Sequence, residues 1–164
     1  MNKVQYSAAF TLTEVLVASS LSILVVAMVM TLLVKNLEIW RDSLARLQLS
    51  EDSRIVRERI LRGLHGKYGL RHARRSQLAF TVGQVLFNDV SSSNAMILVL
   101  VSNQPPAWLD YTGTNRIIRS GTIVENAAIY TNGNILHIDL TLVLTNKEKK
   151  YYQPQQIRVY MLNE

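Results

Sequence analysis

His137 and Asp139 stand two residues apart in the string ILHIDLTLVLT. On an extended strand that spacing puts both side chains on one face. There an imidazole and a carboxylate can hold a metal ion, or act as a base and the group that orients it. A solvent-facing sheet row is the commoner fate of such a pair and is the expectation here. His65 and His72 lie seven apart in a stretch interrupted by Gly66 and Gly69, so they form no i,i+4 metal pair. Ser91, Ser92 and Ser93 lack the flanking glycines of a nucleophile elbow and read as a loop. There is no phosphate-loop or dinucleotide fingerprint, and there is no cysteine for a disulfide or a thiolate metal site. The sequence therefore predicts no enzyme, no cofactor and no metal.

Two charged features remain. The first is Glu14, which stands at the mouth of the apolar run VLVASSLSILVVAMVMTLLV, residues 15–34. An acid costs about 2.5–3.5 kcal/mol at mid-bilayer on insertion scales, so its position needs a reason. The second is a basic cluster: Arg54, Arg57, Arg59, Arg62, Lys67, Arg71, Arg74 and Arg75, with Glu58 the one acid among them. The formal net charge of +6 sits in this part of the chain. Residues 35–75 carry 11 basic and 5 acidic groups, whereas residues 76–164 carry 6 of each. Such a cluster suits phosphate, on lipid headgroups or on nucleic acid. It is also what a solvated helix face and loop look like. Arg54 and Glu58 are spaced for an i,i+4 pair.

The elements that must position these groups follow from periodicity. Residues 15–34 are 20 uncharged residues without Gly or Pro, the length that crosses a hydrocarbon core about 30 Å thick. No Gly or Pro occurs from Phe10 until Gly63, so a single helix of about 53 residues, about 80 Å long, is predicted. Beyond Lys35, Leu37, Trp40, Leu44 and Leu47 recur at 3–4 spacing, and Ala45, Leu49, Val56, Ile60 and Leu64 continue an apolar face for core contact. Trp40 fits an interfacial anchor and core packing equally well. Glycines at 63, 66 and 69 end the helix. After residue 76 the pattern is of strands: a hairpin about Gly83, a buried run at 95–102, a loop over NQPPAWLDYTGTN, a hairpin turning at Asn132-Gly133, alternation through 135–144, a charged turn over TNKEKKYYQ, and a closing strand in QQIRVYMLN. A long helix followed by an antiparallel sheet is an α+β arrangement.

The first residues do not suit a cleaved secretory signal: the apolar stretch is too long and residues 28–35 offer no small-residue cleavage site. A plain signal anchor fits the length and leaves Glu14 unexplained. MNKVQYSAA followed by FTLTEVLVA resembles the class III leader and mature N-terminus of type IV pilins and type II secretion pseudopilins. The resemblance implies cleavage between Ala9 and Phe10 by a prepilin peptidase, N-methylation of Phe10, and an assembly role for Glu14. Ala9 stands where the family usually has Gly, and the leader has a single Lys. It also implies a pilin-like fold: leader at 1–9, transmembrane half of the helix at 10–34, exported half at 35–64, and a β-sheet domain at 65–164. The Trp108 loop and the last strand faintly resemble the J-type minor subunits.

Physical chemistry gives Glu14 a task within that resemblance. Cleavage frees a charged amine at Phe10, one helical turn from Glu14. In a filament of staggered helices, Glu14 of one copy can meet the amine of the next, and a lone partner in apolar surroundings is penalised. The helix dipole alone also favours an anion there. The implied protein is a minor filament subunit in the bacterial inner membrane, with a cytoplasmic N-terminus and a periplasmic C-terminal domain. Its implied partners are other pilin-like subunits, the peptidase and membrane lipid. Two alternatives stand beside it: a competence-type subunit that binds DNA through residues 54–75, where Tyr68 is the sole aromatic, and a signal-anchored periplasmic protein of other function.

Overall fold

A computed structural model describes residues 11–64, 67–87, 96–110, 113–118 and 121–161. Helix α1 runs Leu12–Arg62, beginning and ending within two residues of the predicted limits. An acid, Glu14, lies in its first turn, and Arg59 and Arg62 lie in its last, so both ends complement the helix dipole. Gly63, with φ of 76°, takes the left-handed position that closes a helix and that side chains with a Cβ disfavour. The chain divides into two units, Met1–Ser43 and Leu44–Glu164.

In the first unit, α1 is exposed all round as far as Arg41, and Asp42 is half-buried. It is long and apolar enough to cross a membrane. Its hydroxyls are satisfied within the helix: Ser19 donates to the Leu16 carbonyl (2.9 Å), Ser20 to Val17 (2.8 Å), Ser22 to Ala18 (2.8 Å) and Thr31 to Ala27 (2.8 Å). Every polar side chain of the 15–34 run thus has a partner that does not depend on water. Leu37 and Trp40 are exposed, so Trp40 does not pack in a core.

In the second unit, the apolar stripe splits. Leu44 and Leu47 face outward, while Ala45, Leu49, Val56 and Ile60 are buried with Leu98, Trp108, Val124, Leu136, Ile138, Leu142 and Ile157 in one core. After α1 come two short paired strands, β1 (Gly63–Leu64) and β2 (Lys67–Tyr68), then 3-10 turns at Leu70–His72 and Arg75–Gln77. Strands β3 (Leu78–Thr81), β4 (Gln84–Phe87), β5 (Met96–Val99), β6 (Ala107–Asp110) and β7 (Gly113–Arg116) form a five-stranded antiparallel meander. Strands β8 (Ile123–Asn132), β9 (Ile135–Asn146) and β10 (Lys149–Tyr160) form a second antiparallel sheet in the order β10-β9-β8. Backbone bonds from Asn103 N–H to Val124 O (2.7 Å) and from Val124 N–H to Gln104 O (2.9 Å) tie the segment after β5 to β8.

The hairpin about Gly83 and the alternation of β9 are as predicted, and four expectations are corrected. The segment expected as a loop around Trp108 contains β6 and β7; Trp108 lies opposite Leu98, is wholly buried, and its ring meets Phe87 at 5.4 Å. Four-residue strands are too short to show a period, and tertiary pairing decides them. The 132–133 turn is displaced by one residue: Asn132 pairs with Ile135, leaving Gly133 and Asn134 as the turn, with φ of 59° at Gly133. The charged turn shrinks to Lys147 and Glu148, because Lys149 already pairs with Asn146 in a ladder that continues to Tyr160. Arg54 pairs with Glu51 (3.3 Å), while Glu58 pairs with Arg62 (3.1 Å).

Candidate functional site

Two places concentrate charge, and each is described within its own unit. At the head of α1, Thr11 is the N-cap residue. Its backbone N–H donates to Glu14 Oε2 (2.9 Å), and its hydroxyl donates to the same oxygen (2.9 Å). The Glu14 N–H is turned back toward Thr11 Oγ1 at 3.4 Å. Thr11-x-x-Glu14 is therefore a capping box, in which cap and third residue satisfy each other's orphan donors. The Glu14 carboxylate is held at the amide that follows Phe10, one helical turn back from its own Cα. Ala9 and Phe10 lie outside the described residues.

The second place is a groove between α1 and β10 of about 560 Å³. Arg54, Arg57, Glu58, Leu61 and Arg62 line it from the helix at spacings that share one face. Arg71 enters from the 3-10 turn, and Arg158, Val159 and Tyr160 enter from β10. Among the described residues, five arginines against one glutamate leave the lining at +4. Glu58 is engaged by Arg62, and Arg54 by Glu51 outside the lining. Among the described residues Arg57 and Arg71 have no carboxylate partner.

A glycine sets the position of Arg71. A Cβ on Gly69 would overlap the Leu61 oxygen and the Arg62 carbonyl carbon, so the chain leaving α1 folds back onto the helix's last carbonyls. Of the predicted basic cluster, Arg54, Arg57, Arg62 and Arg71 come together. Arg59 and Arg74 are exposed and do not line the groove. The side chains of Lys67, Tyr68, His72 and Arg75 lie outside the described residues, as do His65 and Ser91, Ser92 and Ser93.

Arg158 and Tyr160 carry no sequence signal that links them to residues 54–71; only the fold brings them there. Register sets a row on the outer face of the sheet that begins at the groove's Arg158: Arg158 lies opposite His137, which lies opposite Tyr130. The His137 and Tyr130 rings stack at 4.9 Å with planes 3° apart. The Tyr130 hydroxyl donates to Asp139 Oδ2 (3.1 Å). That bond, with lost hydration and the carboxylate's charge, pushes the phenol above its ordinary range, and Arg158 opposes the shift. His137 and Asp139 thus share a face as predicted, each meeting Tyr130. Among the described residues no group of three or more metal-ligating side chains occurs. No family model, no curated protein and no solved structure matches the chain.

Proposed function

We propose that the chain is a minor pilin-like subunit that, after cleavage between Ala9 and Phe10 and N-methylation of Phe10, assembles into a type II secretion pseudopilus or a type IV pilus. The observation that carries this reading is the head of α1: over residues 12–34 it is apolar and fully exposed, its hydroxyls are satisfied internally, and the one acid of that stretch, Glu14, is directed at the amide following Phe10. Such a helix suits lipid, and later the packed core of a helical filament, because neither environment needs to supply it hydrogen bonds. A new amine at Phe10 would arise within reach of a carboxylate already turned toward that end. Its own chain and a neighbouring copy then compete for Glu14, and assembly favours the register in which both charges are paired.

Co-expression with a prepilin peptidase, followed by mass spectrometry of the membrane-extracted protein, tests this. The expected species begins at Phe10 and carries one added methyl group. A chain that still begins at Met1, in cells that process sibling FTL-type proteins, overturns the reading in favour of a plain signal anchor.

A further inference from the structure

We propose that the groove between α1 and β10 binds a strand of single-stranded nucleic acid, with its phosphates on Arg57, Arg71 and Arg158 and its bases stacked on Tyr160 and on the Tyr130–His137 pair. This inference does not depend on the filament reading.

Four features favour that occupant. Among the described residues every cation lining the groove is an arginine, whose planar fork matches phosphate in a way that the lysine point charge does not. Among the described residues Arg57 and Arg71 are exposed and have no carboxylate partner, and Arg158 donates to the neutral Gln156 (3.5 Å), so no ion pair described for these three has to break. The floor, Leu61 and Val159, is apolar. Finally, exposed aromatic faces continue from the arginines. Tyr160 is 76 % exposed at the groove, and Tyr130 is 48 % exposed one strand beyond His137. Adjacent strands are about 4.8 Å apart, so Arg158, His137 and Tyr130 form a row about 10 Å long, the scale of one or two nucleotides. Basic residues that track a backbone beside rings that accept any base are the design of sequence-tolerant single-strand sites. An acidic polypeptide or an anionic bilayer would use the arginines and leave the aromatic row without a role.

The test uses the full chain in zwitterionic detergent micelles and a labelled oligothymidylate of about 15 nucleotides, read by fluorescence anisotropy at about 50 mM salt. Binding is expected, with a log–log salt slope near −2 if three phosphates are neutralised at about 0.7 each. Arg57→Ala, Arg71→Ala and Arg158→Ala should each make the slope shallower by about 0.7. They lie on three different elements, so failure of one variant to fold leaves two. Tyr160→Leu should weaken binding about 5- to 100-fold with the slope unchanged, and should have little effect on an abasic strand. Three results overturn the proposal: no binding at low salt; binding that Tyr160→Leu and Tyr130→Leu leave intact; or displacement of the oligonucleotide by equal charge of polyglutamate or phosphatidylglycerol vesicles, which would assign the groove to an acidic protein or a lipid surface.

Discussion

Asp52 on α1 accepts a 2.6 Å hydrogen bond from the Thr122 hydroxyl, 70 residues further along the chain, and both side chains are buried. The next residue, Ser53, receives Gln155 Nε2 from β10 at its carbonyl oxygen (2.9 Å) and at its hydroxyl. Two adjacent helix residues thus take polar partners from two places in the sheet unit, between the apolar contacts of Leu49 and Val56. Apolar contacts alone tolerate a slide of the helix, whereas these bonds are lost together if it shifts. They fix which face of residues 44–62 turns inward, and so which arginines line the groove.

Asp52→Ala should therefore destabilise the second unit by about 1–3 kcal/mol, the usual cost of leaving a buried partner unmade. Thr122→Val should cost a similar amount, and the double variant less than the sum. Denaturant unfolding followed by the near-ultraviolet signal of the buried Trp108 gives the comparison. Additive costs would mean that the two side chains do not act as a pair.

Glu14 allows its charge to be separated from its capping role. Glutamine at the third position of a capping box still accepts the cap's N–H, so Glu14→Gln should keep the helix start. It should insert into membranes as well as the parent or better, because it removes a costly charge. Filament incorporation should fall sharply for both Glu14→Gln and Glu14→Ala. Quantifying surface filaments beside membrane-fraction protein reads both effects. Normal incorporation of the glutamine variant would leave Glu14 with capping alone.

Gly69→Ala should disturb the groove. The added carbon would overlap the Leu61 and Arg62 backbone atoms, which cannot rotate away, so the turn that carries Arg71 must shift. A cost of about 1–3 kcal/mol is expected. Gly121 offers the control: a Cβ there meets nothing within 4 Å and Gly121→Ala should be close to neutral. Thermal unfolding of the two variants side by side decides it, and equal midpoints would contradict the close approach.

Much of this fold is legible in the sequence, and the reasons are local. In β9, Leu136, Ile138, Leu140 and Leu142 are buried between partly exposed neighbours, as alternation requires. Gly63 marks the helix end because a left-handed φ is needed there. Thr11-x-x-Glu14 is a readable capping box, although the sequence cannot separate it from an acid placed four residues after Phe10. The groove is half legible. Its helix arginines recur at helical spacing, but Arg158 and Tyr160 join them through the β9–β10 ladder, whose register no local pattern encodes. Asp52 next to Glu51 looks like one more solvated charge, and its burial appears only when Thr122 is folded against it.

The Tyr130–Asp139 bond gives a pH signature to the outer face of the β10-β9-β8 sheet. An unperturbed tyrosine titrates near pH 10. Tyr130 is raised in the folded state, chiefly because its hydroxyl donates to Asp139 and a phenolate cannot. The neutral phenol is the form that folding favours. Its contribution to stability is therefore fully present below the unfolded value near 10 and is lost as pH climbs through the higher folded value. Ultraviolet titration should show one phenol ionising above the ordinary range. Asp139→Ala should bring it back toward the ordinary range. Arg158→Ala should move it further up, because the guanidinium is the one group that favours the phenolate. If the arginine variant leaves the titration unchanged, Arg158 does not reach the Tyr130–His137 stack, and the row from the groove to those rings is broken.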